Sequence, residues 1–104
     1  MTDDPADLPA AEREYSAHTP DEMVWVRVLG SGRVLGVQLE PPVMRRPGSE
    51  IAAAIQACAD VAYLEGQVAL RAEFEQRGAP ADGISWMPTA ADLEQARERL
   101  RSLR

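Results

Sequence analysis

Arginine is the side chain with most chemistry to offer in this chain. All 11 cations are arginines, and there is no lysine. Arg45-Arg46 precedes a long apolar-patterned segment, where a guanidinium pair can clamp phosphates beside a helix N-terminus; the alternative is a solvated loop. Arg27 and Arg33 flank a glycine turn and would join a basic patch across a dimer. Arg97, Arg99, Arg101 and Arg104 do not share one helix face, because a spacing of two rotates by about 200°. They suit solubilisation or salt bridges. Trp86-Met87 is an apolar pair between two helical segments. It either packs back on the domain or anchors a partner, since Trp is enriched among interface hot spots.

Catalysis has little support. Ser16, His18 and Asp21 are triad residue types, but they lie on one short segment, and a triad needs separate elements to orient its base. Cys58 falls on an apolar helix stripe and is expected in the core. Gly30-x-Gly32 with Gly36 joins strand to strand, whereas pyrophosphate binding needs a strand-to-helix turn. Glu73 and Glu75 diverge on a helix and are expected to be solvated. One His and one Cys cannot by themselves make a zinc site. The expectation is no enzyme, no cofactor, no metal and no small-molecule substrate.

The elements that must carry these residues follow from periodicity. Val24, Val26 and Val28 alternate on one face, and Leu35, Val37 and Leu39 repeat the pattern after Gly30-Ser31-Gly32, predicting a β-hairpin. Residues 13–19 are a third strand candidate, turned at Pro20-Asp21. Trp25 is expected in the core or in a dimer interface. Pro41-Pro42 ends the sheet. A helix is predicted over residues 50–77, capped by Ser49 or Gly48, with Ile51, Ile55, Cys58 and Ala62 on one stripe. At 28 residues it would reach roughly 42 Å. A small sheet cannot cover that length, so the distal half is expected to project or meet a second chain. Gly66 allows close packing or a bend, and Arg77-Gly78 is the stop. Residues 78–88 are a linker. Thr89 to Asp92 resembles a capping start for a helix over residues 89–104.

The chain has 104 residues, 45% of them apolar, and a net charge of −6. That is one small α+β domain with a thin core. The charge is local: residues 1–22 carry seven acids against Arg13 alone, and the remainder carries ten of each sign. Residues 1–12, with two prolines and no sustained periodicity, are expected to be an acidic mobile tail. No apolar run approaches a membrane span or a signal peptide, and a single cysteine suits a reducing cytoplasm. Open sheet edges and a helix that outruns its cover predict a homodimer.

The hairpin with its G-x-G-R turn, the V-x-L-E-P-like strand end and the S-E-I-A-A-A-I helix start resemble the YbaB/EbfC family of nucleoid-associated proteins, especially its actinobacterial branch. The resemblance spans about residues 15–74. It implies an antiparallel sheet of two or three strands packed on one long helix, plus here a short C-terminal helix. It also implies homodimers formed through the sheets and DNA binding with little sequence preference, for which Arg45, Arg46, Arg27 and Arg33 are the candidates. Some actinobacterial relatives sit instead with type VII secretion systems. Family members usually begin with a long helix; here an acidic, proline-containing segment of about a dozen residues stands in its place. That departure and the added Trp86-Met87 segment point to the alternative function, a protein-interaction adaptor or chaperone.

Overall fold

The computed structural model describes residues 7–103. Three strands form one antiparallel sheet in the order β1-β2-β3: β1 is Glu14–His18, β2 is Val24–Leu29 and β3 is Val34–Leu39. Val24, Val26 and Val28 point to one face of the central strand and are 0–1% exposed. Burying each contributes roughly 1.5–3 kcal/mol. Opposite them, Ala17 pairs with Val26 and Tyr15 with Val28 on β1, while Leu39 pairs with Val24 and Val37 with Val26 on β3. A register irregularity between Arg27 and Val28 displaces the start of β3.

The turn from β1 to β2 is fixed by Asp21. Its carboxylate accepts from the Thr19 hydroxyl at 2.6 Å, the Met23 N–H at 3.1 Å and Arg46 at 2.6 Å. Glu22 takes a positive φ of 59° within it. The Thr19 and Arg46 hydrogen bonds, with that from Met23, hold the Asp21 carboxyl down at about 2. The folded value is depressed, so the bond set stabilises the fold above the unfolded value near 3.8 and is lost as pH falls through about 2. Asp21→Asn should therefore flatten the acid limb of stability between pH ~4 and ~2, read from denaturant midpoints across that range.

Helix α1, Gly48–Gln76, lies across β1 and β2. Its N-terminus uses no side-chain cap: Pro47 is the cap residue, so neither Ser49 nor Gly48 has the expected role. Proline's fixed φ and the chain's extended entry replace the side-chain cap. The C-terminus is a Schellman end. Gly78 has φ +84°, its N–H donates to the Glu75 carbonyl, and the Ala79 N–H donates to Phe74. Helix α2, Ala90–Arg101, begins with the expected capping box between Thr89 and Asp92.

The distal half of α1 does not project. Helix α2 packs along α1, with Leu93, Ala96 and Leu100 buried, and Arg97 reaches Glu65 at 3.3 Å. The segment between the helices folds back as well, burying Ile84 and Met87. A third cover comes from the N-terminal side. Of the acidic residues 1–12, the first six lie outside the described residues. Ala10–Glu12 form a short 3-10 turn, and Ala10 is fully buried. Its N–H donates to Glu73 at 2.7 Å, and Arg13 sits 3.8 Å from the same carboxylate. Glu73 is thus a clasp for this strap, not the solvated group its spacing suggested.

Candidate functional site

The four arginines singled out for nucleic acid do not converge. Arg46 is spent on Asp21. Arg27 lies on the outer face of β2 beside Glu14, at 3.4 Å, both more than half exposed. Such a pair is worth little. Arg33 and Arg45 are exposed and have no carboxylate partner among the described residues. They occupy opposite ends of β3: Arg33 precedes it, and Arg45 ends the 3-10 turn Pro41–Arg45 that follows it. On the C-terminal helix, Arg97 and Arg101 are held by Glu65, Glu94 and Glu98, and Arg104 lies outside the described residues.

Trp86 and Met87 part company. Met87 is 2% exposed, so it offers nothing to a partner; neighbouring side chains already cover it. Trp86 is 74% exposed. Its indole N–H donates to the Gly83 carbonyl at 3.0 Å, and the segment beneath is pinned by Arg71, which donates to the carbonyls of Ile84 and Met87 at 3.1 and 2.8 Å. The indole therefore stands on a fixed support, with its order supplied before any partner arrives.

A second exposed apolar region lies along β3. Helix α1 covers β1 and β2 and leaves Val34 and Val37 at 55% and 45% exposure, with Tyr63 and Met44 also open. The Glu40 N–H donates to the Met23 carbonyl, which makes the adjacent Val24–Leu39 pair a non-hydrogen-bonded one. By alternation Val26–Val37 is another. The backbone N–H and C=O groups of Val37 and Leu39 consequently point away from β2, out of the free edge.

The residue types of catalysis are dispersed or occupied. His18 Nδ1 lies 2.8 Å from the Thr19 carbonyl, and its ring lies against Trp25 with centroids 4.3 Å apart. Asp21 serves the turn. Cys58 is fully buried, and burial pushes its thiol up to about 11. Trp25 is half-buried on the outer face of the sheet, not in the core. Among the described residues no three His, Cys, Asp or Glu side chains gather as metal ligands, and no helix is long and apolar enough to cross a membrane.

The β3 edge was legible only as an open-edge argument, and the Trp86 support was not legible at all, because it depends on a guanidinium that is 13 residues away from Ile84. Comparison with protein-family models, curated proteins and solved structures returned no match.

Proposed function

We propose that the chain is a homodimeric protein-interaction module, an adaptor with Trp86 as its partner contact. The observation that supports it most is the uncovered β3: an edge with free backbone donors and acceptors beside exposed Val34 and Val37. Unprotected edges of this kind template pairing with another chain. A second copy brings a strand of the same register, so a two-fold axis at Val37 or at Gln38 keeps the valine-bearing faces together and joins two sheets into one. The resemblance to the YbaB/EbfC family favours the same assembly. Sedimentation of the wild-type chain should give a dimer at micromolar concentration, and Val37→Asp a folded monomer. A monomeric wild type at high micromolar concentration would sink the proposal.

A second function, non-sequence-specific DNA binding, is favoured by Arg33 and Arg45, which no carboxylate among the described residues pairs. It has less support, since Arg46 is held by Asp21, the candidate arginines do not converge and the net charge is −6. It requires a salt-sensitive gel shift that Arg45→Glu/Arg46→Glu weakens on every sequence alike. Absence of any shift at low salt removes it.

A further inference from the structure

The outer face of the sheet carries no helix. Pairing places Ser16, Arg27 and Gly36 in one row across it, and His18, Trp25 and Gln38 in the next. Between these rows, on the β3 side of Trp25, lies an open groove of about 650 Å³, lined among others by Ser16, Trp25, Arg27, Gly36 and Gln38. That volume is in the range of small-ligand sites.

Three features distinguish this groove from an ordinary solvated sheet face. The indole of Trp25 is fixed, with its N–H on the Glu22 carbonyl at 3.0 Å and His18 against its β1 side. The wall toward β3 is left to the groove. The Arg27 guanidinium lies over Gly36, 3.6 Å from where a Cβ would stand, and its contact with Glu14 is exposed and readily exchanged. Gly36 itself has no positive φ, so its backbone does not demand glycine. A mid-strand glycine costs stability and leaves a floor that another group can approach closely. Ser16 and Gln38 add polar groups at the rim.

We propose that this groove binds a planar heteroaromatic ring carrying an anion, as in a nucleoside monophosphate, with the ring against Trp25 and the anion on Arg27. Aromatic stacking tolerates any base, and the guanidinium forks onto phosphate oxygens. The groove borders β3, whose residues 36–39 line it, but Trp25 and Arg27 stand on β2 on the face opposite the exposed valines, and Trp86 takes no part.

The test follows the two indole N–H resonances of the full chain by NMR, with Trp86 as the internal reference. AMP should shift the Trp25 resonance saturably and leave Trp86 unmoved. Adenosine and ribose 5-phosphate, each lacking one half of the chemistry, should bind about tenfold more weakly. Gly36→Val should melt at or above the wild-type temperature yet lose the response. Arg27→Gln, at an exposed position, should weaken AMP about tenfold and leave adenosine unchanged. A short oligoadenylate binding more tightly per nucleotide than AMP would assign the ligand to a single strand; equal affinity would assign it to free nucleotide. No saturable shift by about 10 mM AMP, or a response unchanged in both Gly36→Val and Arg27→Gln, overturns the proposal.

Discussion

Gly30→Ala is expected to be the most destabilising of the glycine-to-alanine substitutions in this protein. A Cβ there would stand 1.8 Å from the Ala10 carbonyl oxygen and 2.8 Å from its carbon, both backbone atoms that no side-chain rotation can move away. Two hydrogen bonds tie the same place: Gly30 N–H to the Arg13 carbonyl at 2.8 Å, and Ser31 N–H to Ala11 at 3.0 Å. On the other side the helix blocks retreat, because a Cβ on Gly66 would already be 3.1 Å from the Gly30 Cα. Either the strap over residues 10–12 lifts, exposing Ala10 and releasing its N–H from Glu73, or the turn shifts away from α1. Overpacking costs about 1–3 kcal/mol, and each lost hydrogen bond about 1 more. A total of about 3–5 kcal/mol would lower the melting temperature by roughly 10–30 °C in a domain of this size. Gly48→Ala is the matched control, since a Cβ there meets nothing within 4 Å. A Gly30→Ala protein melting within a few degrees of wild type would show that the strap is not seated on the turn. Thermal melts of the two variants decide it.

Gly30 marks where the sequence was readable and where it was not. The hairpin was legible because Val24, Val26 and Val28 announce a period of two, and residues 30–32 announce a turn. Positive φ falls on Gly32 alone. Gly30 is glycine because another strand of chain crosses over it, a fact that no local pattern encodes. Local signals mostly succeeded: the Thr89–Asp92 capping box and the Gly78 helix end were both readable from residues a few positions apart, while the cap expected at Ser49 or Gly48 gave way to Pro47. Signals failed where partners were distant. Glu73 was expected in water because its neighbours on the helix say nothing of Ala10, 63 positions away. The cover over distal α1 was missed because residues 78–88 carry loop composition; Ile84 and Met87 are single apolar anchors, too sparse to show a period. Arg27 and Arg46 were candidates for phosphate because their carboxylate partners, Glu14 and Asp21, lie on other elements.

The adjacent pair Trp86 and Met87 should separate stability from recognition. Met87 is 2% exposed, so Met87→Ala leaves a cavity and should cost about 2–5 kcal/mol. Trp86 is 74% exposed and makes one exposed hydrogen bond to its own loop. Trp86→Ala should therefore stay within about 0.5 kcal/mol of wild type in urea denaturation. The ordering is counterintuitive by residue size, since the larger side chain contributes less to folding. Arg71→Met adds a third arm. It keeps the aliphatic stem and removes only the guanidinium that holds the Ile84 and Met87 carbonyls, so the loop should lose order while the core residues remain. Hydrogen exchange across residues 82–88 should then rise with little loss of global stability. If Trp86→Ala instead costs more than about 2 kcal/mol, the indole is part of the fold and no longer a surface held ready for a partner. If Met87→Ala alone is costly, Met87 is the loop's anchor in the fold and the Trp86 indole remains a surface group that folding does not need.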